Sequence, residues 1–481
     1  MTFISVEFLG FFLLVFTSYF LLALRWRWIL ILVASYFFYG YHNPAYIFLL
    51  LTSTFIDFYA GKHIARSRDK CQSKAWLYSS IIANLSILFF FKYFNFFIVE
   101  INTLSSFFSL STQFSTHSYL LPLGISFYTF QSLGYSIDIY RGYIKPETHF
   151  GKFALYLSFF PQLVAGPIER ARKLLPQLSF RHEFQYQRVV DGLRLMLWGF
   201  FKKIVVADRL GVYVNEVFEV SNNHQGPVII VGGILFGLQI LFDFAAYSEI
   251  AIGAARIFGI ELSKNFGNRS FFTSPIHMWS QWHITLTNWF RDYLYFPLTK
   301  LRRGRSFSMF ALFITFLITG LWHGPAWGFI IWGGLHGLFL VVDHNTLKFR
   351  NTFFDRHGIR KSPRLLRFFS ILVFLPFNWL SGIFFRADSI QDSFTLLRRA
   401  TDWSSIYFLL GNVKPFSQFL ILPLLVFIEL LNARLKDNQV DVFLSRQPTW
   451  YRWAFYIVIT FLILFLHLDG SEISTFMYFQ F

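Results

Sequence analysis

Two histidines lie in apolar, aromatic-rich stretches of this 481-residue sequence. His323 lies in TGLWHGPAWGFIIWGGLHG (319–337), and His283 lies in SPIHMWSQWHITLTNWFRDYLYFPLTK (274–300). Imidazole is a suitable general base near neutral pH, because its reference pKa is about 6.5. Burial in an apolar environment keeps the ring neutral, as a base must be. These residues therefore favour removal of a proton from a hydroxyl group that attacks an acyl carbon.

A structural role fits His323 as well, because Gly324 and Pro325 follow it directly and interrupt the apolar run. The histidine would then sit at a packed helix kink and hydrogen-bond a carbonyl. Non-helical backbone at membrane depth occurs only where it is buried in protein or lines a wet cavity. We therefore expect a pocket or tunnel at His323, walled by Trp322 and Trp327, although the local sequence leaves both roles open.

Polar side chains also interrupt the apolar segment LFDFAAYSEIAIGAARIFG (241–259). Ionisable groups at membrane depth are costly unless they are paired, so each is a functional hypothesis by default. Internal pairing, for instance of Glu249 with Arg256 or Arg170, is the structural alternative. The candidate site residues in this segment are Asp243, Tyr247 and Ser248.

The segment around His283 resembles an element at a membrane interface, because tryptophans and tyrosines alternate with polar residues. Trp279 and His283 are four residues apart, which predicts that they share one face of a helix. Arg291 and Asp292 interleave with these aromatic residues, and a solvated ion pair at the interface accounts for them. Trp282 beside His283 indicates that this histidine is buried.

The composition is that of a membrane protein, with 55% hydrophobic and 14% charged residues, against about 25% charged in soluble domains. Apolar runs of spanning length recur along the chain. We expect an all-α, polytopic fold of about 10–12 transmembrane helices, with re-entrant or interfacial helices, around a central tunnel. The chain is predicted to form one domain, 1–481, with N-terminal helices (1–118), a core region holding both histidines (119–346) and C-terminal helices (347–481).

Basic loops predict the orientation of the chain in the membrane. Short segments rich in Lys and Arg between apolar runs remain in the cytoplasm. Asn102–Ser118 carries neither residue and is predicted to lie outside, together with the N-terminus and Asp469–Ser474. The segments predicted to be cytoplasmic are Gly61–Lys74, Thr299–Arg305, Lys348–Arg367 and Asn432–Asn438.

Between two of these cytoplasmic loops the chain must cross the membrane and return, which two short helices would achieve. The first, from about Phe307 to Trp322, would rise about 24 Å, less than a hydrocarbon core of about 30 Å. His323 is therefore expected within the membrane. Farther along, Phe384–Ser389 opens a polar outer loop that runs to about Asn412, in which Ser389–Ala400 could form an amphipathic helix.

Several function classes are excluded on sequence grounds. The net charge of +17 is explained by the cytoplasmic loops, so no nucleic-acid partner is expected, although the surplus could attract anionic lipids or an acidic donor. Cys71 is the only cysteine, which excludes a cysteine cluster for zinc or iron–sulfur binding. No phosphate-binding loop, zinc-protease motif or serine-hydrolase elbow is present. We expect no metal and no tightly bound cofactor.

Five motifs together resemble the membrane-bound O-acyltransferase family, specifically its bacterial alginate O-acetyltransferase branch. They are MWSQWHITLTNWFRDYLYFPL, TGLWHGPAWGFIIWGGLHG, LFDFAAYSEIAIG, FPQLVAGPIER and FFRADS, and they occur over most of the chain. The resemblance implies transfer of an acetyl group from a cytoplasmic donor, acetyl-CoA or an acyl carrier, through a membrane tunnel. The implied acceptor is an extracytoplasmic polysaccharide, reached directly or through a periplasmic or secreted partner acetyltransferase.

The resemblance also implies residue roles. The essential histidine of the family's WHG motif falls on His323, and the second histidine falls on His283, here a positioning group. Pro325 departs from the small residue common in relatives, which leaves the shape of this turn open. The matching tunnel or scaffold residues are Trp322, Gly324, Trp282, Arg291, Asp292, Asp243, Tyr247 and Ser248.

The acceptor and the class of protein leave alternatives open. Alginate or a similar exopolysaccharide in a bacterium, with the enzyme in the inner membrane, is the first choice; O-acetylation of peptidoglycan is the second. A transporter of a lipid-linked sugar would predict two similar halves with paired broken helices, and no such internal symmetry is visible. A structural scaffold would not need intramembrane histidines.

Overall fold

The structure is a computed structural model that describes residues 1–110, 113–117, 121–180, 182–222, 224–267, 274–359, 362–403, 440–468 and 476–477. All regular structure in this part of the chain is helical, which confirms the predicted all-α class. The chain forms two compact units. Unit 1 comprises Met1–Met196 and Ile250–Ser263, and unit 2 comprises Leu197–Glu249 and Lys264–Phe481.

Unit 1 is built from the N-terminal helices. Helix α4 continues through a π-helical turn, Phe89–Tyr93, into α5. The unit boundaries fall within helices α9 and α11, which belong partly to each unit. The helices are α1 (Val6–Leu21), α2 (Arg27–Gly40), α3 (Ala45–Arg66), α4 (Lys70–Leu88), α5 (Phe94–Phe107), α6 (Ile125–Tyr140), α7 (Phe150–Ser158), α8 (Ala171–Ser179), α9 (Tyr186–Phe201) and α11 (Pro227–Ile257).

Unit 2 contains the two histidine-bearing segments. π-Helical turns at Lys202–Ala207 and Arg291–Tyr295 join neighbouring helices. Besides its parts of α9 and α11, its helices are α10 (Asp208–Phe218), α12 (Pro275–Gln281), α13 (Ile284–Phe290), α14 (Phe296–Leu301), α15 (Arg305–His323), α16 (Trp327–Arg356), α17 (Pro363–Arg386), α18 (Ile390–Ala400), α19 (Val440–Ser445) and α20 (Thr449–Leu468).

The described residues include five helical segments that are long and apolar enough to cross a membrane. Two further apolar helices, α1 and α2, are shorter. The chain is therefore a multi-pass membrane protein, as predicted, and the count of about 10–12 spans stays a prediction. The five segments are Lys70–Phe107, Pro227–Ile257, Arg305–His323, Arg364–Arg386 and Thr449–Leu466.

The predicted amphipathic helix after FFRADS is confirmed as α18, for which the Ser389 side chain accepts a hydrogen bond from the Asp392 N–H. Other predicted segments are not among the residues that the structure describes. Asp469–Ser474, Asn432–Asn438 and the end of the outer loop, from 404 to about Asn412, lie outside the described residues.

A buried polar network joins three helices of unit 1 around Asp57 of α3. Oδ1 of Asp57 accepts hydrogen bonds from Ser80 Oγ of α4 (2.6 Å) and Ser136 Oγ of α6 (3.2 Å). The Asn84 amide of α4 donates to both carboxylate oxygens, at 3.1 and 3.0 Å. Buried polar groups are costly unless such partners exist. The network therefore specifies how α3, α4 and α6 align.

Helices α15 and α16 of unit 2 form a hairpin in which the backbones approach closely at two glycines. A Cβ on Gly320 would lie 2.2 Å from the Phe329 carbonyl oxygen, and one on Gly333 would lie 2.3 Å from the Phe316 carbonyl oxygen. Small residues permit this approach between membrane helices. The hairpin holds its turn, and with it His323, in a defined position.

We expect Gly333→Ala to destabilise unit 2 by about 1–3 kcal/mol, because the added methyl group overlaps a backbone atom that cannot move aside. The neighbouring substitution Gly334→Ala is the matched control, since its Cβ would be 3.3 Å from the flexible side chain of Leu317. Thermal unfolding of the two purified variants in one detergent measures the difference. Equal midpoints would contradict a backbone contact at Gly333.

Candidate active site

His323 is the last residue of α15, and aromatic rings enclose it within unit 2. Its imidazole packs nearly perpendicular to Trp332, at 5.0 Å between ring centroids, and edge-on to Phe385 at 5.4 Å. The Trp322 ring lies at 4.9 Å. Gly324 leaves the space that the Phe329 ring occupies, because a Cβ there would lie 2.2 Å from that ring. The imidazole is thus held in a buried, largely apolar environment.

The hairpin that carries His323 differs from the prediction in length. Helix α15 has 19 residues and rises about 28 Å at 1.5 Å per residue, and α16 has 30 residues. The first helix is therefore somewhat longer than predicted but still rises less than a hydrocarbon core of about 30 Å, whereas the prediction that the second helix is short is wrong. His323 lies at the end of α15 remote from Arg305, where it is buried by packing within the protein.

His283 lies at the junction between α12 and α13 and is fully buried. Its backbone is left-handed, with φ 42° and ψ 52°, which is rare for a residue other than glycine. The prediction that it shares a helical face with Trp279 is wrong, because α12 ends at Gln281. Such strained conformations persist where surrounding structure enforces them, often at functional sites.

Two backbone hydrogen bonds enforce the break at His283. The Ile284 N–H donates to the Asn265 carbonyl at 2.9 Å, and the Gly267 N–H donates to the Gln281 carbonyl at 3.0 Å. The segment before α12 thereby pairs with both sides of the junction. His283 then starts α13, and its carbonyl accepts from the Thr287 N–H at 3.0 Å.

One indole joins the two histidine environments. The Trp322 ring centroid lies 6.1 Å from that of His283 and 4.9 Å from that of His323. Phe244 of α11 covers His283 from another direction, at 4.6 Å and nearly perpendicular. Trp282 packs edge-on to Phe266 at 5.3 Å. The two predicted catalytic histidines therefore belong to one cluster of rings.

A cavity of about 360 Å³ opens beside His323. Its walls come from α11, α12, α15, α16 and α17, and they are mainly apolar. A space of this size accommodates a small substrate group in an environment with little water. The polar or amphipathic residues that line it are His323, His336, Trp279, Trp282, Trp332, Asn378, Trp379 and Ser381. The two residues predicted to wall a tunnel do not line this cavity: Trp322 is buried next to His323, and Trp327 is 46% exposed.

His336 of α16 is a candidate site residue that sequence reasoning missed. It is buried, and its Nε2 lies 3.2 Å from Ser381 Oγ of α17. Its ring contacts Trp332 at 4.8 Å and Trp279 at 5.3 Å. Trp332 thus contacts both His323 and His336. The available signal was a second histidine in the apolar stretch 319–337, which stands in a continuous helix and has no proline beside it.

The predicted residues of α11 lie outside the cavity wall. Asp243 Oδ1 pairs with Lys203 Nζ at 2.7 Å, and its Oδ2 accepts from the Met477 N–H at 2.9 Å. Lys203 also pairs with Asp208 at 2.8 Å. Ser248 Oγ accepts from the Asn265 amide at 3.2 Å. These contacts are those of a buried, paired scaffold; Tyr247, whose ring packs against Phe476 at 5.0 Å, belongs with them.

Other charged candidates form ion pairs. Arg291 Nε lies 2.9 Å from Asp292 Oδ1, and the Arg291 side chain is 50% exposed, so this pair lies at the surface of unit 2. Glu249 pairs with Lys202, a partner that the sequence did not suggest. Among the described residues, no group of three or more His, Cys, Asp or Glu side chains could hold a metal ion.

The chain matches the family model of the membrane-bound O-acyltransferases over residues 143–387. It is 34% identical over 395 residues to the probable alginate O-acetylase AlgI of Pseudomonas aeruginosa, an alignment that covers 81% of this chain and 73% of the relative. It is 30% identical over 491 residues to the peptidoglycan O-acetyltransferase of Helicobacter pylori, covering 95% of this chain and 87% of the relative.

A more distant similarity, 28% identity over 280 residues, links it to the teichoic acid D-alanyltransferase of Streptococcus thermophilus and covers 55% of this chain and 67% of the relative. All three relatives are named for transfer of an acetyl or D-alanyl group, with alginate, peptidoglycan and teichoic acid in their respective names. Because the family model spans half of the chain and the nearer relatives align over most of it, this protein is an O-acyltransferase that belongs to the membrane-bound O-acyltransferase family.

Proposed function

We propose that this enzyme transfers an acetyl group from a cytoplasmic thioester, acetyl-CoA or an acyl carrier, for O-acetylation of an extracytoplasmic polysaccharide. The observation that carries this proposal is the mainly apolar cavity beside His323 in a chain whose relatives are named for O-acetylation. An apolar lining disfavours water, which would otherwise hydrolyse the activated acyl group.

His323 is the general base in this proposal. As the acceptor hydroxyl attacks the acetyl carbonyl carbon, its proton passes to the imidazole. The carbon–sulfur bond of the donor then breaks, and the leaving thiolate takes that proton back from the imidazolium. A buried ring in an apolar environment is neutral before reaction and able to accept the proton. The enclosing rings of Trp322, Trp332 and Phe385 restrict its orientation.

His283 is a positioning residue in this proposal. Its ring and that of His323 both pack against Trp322, so the strained junction at His283 determines where this indole lies. Gly324 and Trp282 shape the turn and the cavity wall. Asp243, Tyr247 and Ser248 support α11 through buried contacts, and the Arg291–Asp292 pair contributes at the surface.

The proposed final acceptor is alginate or a similar exopolysaccharide, reached either directly or through a periplasmic or secreted partner acetyltransferase; the hydroxyl that attacks beside His323 belongs to the polysaccharide in the first case and to an intermediate carrier in the second. Several relatives named as probable alginate O-acetylases support this choice, at 34–36% identity. Peptidoglycan is the second candidate, favoured by a relative that aligns with 95% of the chain. The proposed location is the bacterial inner membrane, with the basic loops toward the cytoplasmic donor. The 1–118, 119–346 and 347–481 regions are proposed to act as one catalytic domain.

We expect His323→Ala to lower the rate of acetyl-ester formation about 10²- to 10⁴-fold, the usual contribution of a general base. The measurement is the acetyl-ester content of exported polysaccharide and, separately, of the cell wall, at matched abundance of the variant in the membrane. Ester lost from one pool also identifies the acceptor.

His344→Ala is the matched control for this substitution, because His344 is an exposed histidine of the adjoining helix α16. It should leave both ester pools unchanged. If His323→Ala also left both pools unchanged, His323 would not be the base, and the alternative of a packed helix kink would stand.

We expect His283→Asn to fold and to lower kcat about tenfold to hundredfold with little change in the KM of the donor. Asparagine tolerates the left-handed backbone, but it lacks the ring that packs against Trp322, and small displacements of reacting groups cost up to about 10²-fold in rate. Release of thiol from acetyl-CoA by the purified enzyme with added acceptor measures both constants. A changed melting temperature with an unchanged kcat would show that His283 serves folding alone.

A further inference from the structure

A second cavity, of about 170 Å³, lies within unit 1 and carries an excess of positive charge. It is formed by the connection between α1 and α2, by α7, and by α8 with the residues that follow it. Three basic side chains line it, those of Arg25, Arg27 and Lys152, together with the His182 imidazole. The described residues that line this cavity include no Asp or Glu.

These positive charges are not neutralised within the described part of the chain. The side chains of Arg25 and Lys152 make no hydrogen bond and no ion pair with any described residue. The Arg27 guanidinium donates to three backbone carbonyls, those of Leu22 at 3.1 Å, His182 at 2.7 Å and Phe20 at 3.4 Å, and has no carboxylate partner among the described residues. A concave site with uncompensated guanidinium and ammonium groups attracts an anion that offers several acceptor oxygens.

Two glycines shape the cavity wall. The Trp28 ring packs against Gly151, where a Cβ would lie 2.8 Å from the indole, and the His182 ring packs against Gly259, where a Cβ would lie 2.5 Å away. Gly259 has a φ of +91°, a conformation that side chains rarely permit. His182 is further held by Nε2, 2.8 Å from the Gln177 carbonyl. The wall is therefore organised before a ligand binds.

The surroundings of the cavity favour a lipid. Arg25 and Arg27 directly follow α1, at its predicted cytoplasmic end. The cavity-lining Phe180 is 70% exposed, and Leu21, at the end of α1, is 81% exposed. Exposed apolar side chains of this kind lie against acyl chains in a bilayer. The basic cavity thus adjoins apolar side chains, an arrangement that suits a ligand with a charged headgroup and apolar chains.

We propose that this cavity binds the headgroup phosphate of an anionic phospholipid on the cytoplasmic side. Basic pockets between membrane helices on that side are suited to anionic headgroups. The volume fits a headgroup better than a whole nucleotide cofactor, because sites for such ligands enclose about 300–1,000 Å³. This lipid site is independent of the proposed acetyl transfer.

The test is native mass spectrometry of the purified full-length protein in detergent with phosphatidylglycerol or phosphatidylcholine. We expect the unaltered protein to retain phosphatidylglycerol in preference to phosphatidylcholine. In the double variant Arg25→Gln, Lys152→Gln we expect the affinity for phosphatidylglycerol to fall about thirtyfold, because each lost charge contributes about 1 kcal/mol and about 1.4 kcal/mol corresponds to a tenfold change. Ser179→Phe, which fills the cavity without changing charge, should weaken retention as well.

The matched control is Arg66→Gln with Lys70→Gln, which removes two exposed charges of the same unit away from the cavity. It should retain phosphatidylglycerol like the unaltered protein. Equal losses in both double variants would show general surface attraction and overturn the site. If inorganic phosphate or coenzyme A displaced phosphatidylglycerol at a concentration lower than that of the lipid, the natural ligand would be a soluble phosphate compound, and the proposal of a lipid site would be overturned.

Discussion

The close contact of backbone with backbone between α15 and α16 determines most of the candidate active site. Gly320 and Gly333 bring the two helices together, and Gly324, at the start of the turn between them, is buried. Freed amide and carbonyl groups at such a turn require protein or water partners, because lipid supplies none. The hairpin places Trp332 against His323 and brings His336 to the same cavity.

The helical fold could be predicted because an apolar run of spanning length indicates, from its own residues alone, that the segment lies in lipid and forms a helix. The turn after His323 was likewise local, since Gly324 and Pro325 interrupt a helix by themselves. The length of α15 was underestimated by two residues at its start and one at its end, because Arg305 was assigned to the preceding basic loop and Trp322 was taken as the end of the apolar run. Backbone chemistry and hydropathy therefore predicted the type of element correctly, but not the residues at which the element begins and ends.

The remaining features depend on residues far apart in sequence. The spacing of Trp279 and His283 fits a helix, yet the Asn265 carbonyl accepts a backbone hydrogen bond and the Gly267 N–H donates one on either side of His283, where the helix breaks. No local pattern marks those partners. His336 sits in an uninterrupted helix, and only its contact with Ser381, 45 positions away, distinguishes it from a packed core histidine. Asp243 was identified as a costly buried charge, but its partners Lys203 and Met477 come from other segments.

The two glycines of the hairpin also limit how such an enzyme can diverge. Any larger residue at Gly320 or Gly333 meets backbone atoms, so both positions are closed to ordinary substitution. Much of the remaining cavity wall comes from α11 and α17 and consists of side chains such as Ile234, Leu241 and Phe374 that can change size one at a time. Over evolutionary time, new acceptor preferences would therefore accumulate on α11 and α17, while the histidine-bearing hairpin stays constant.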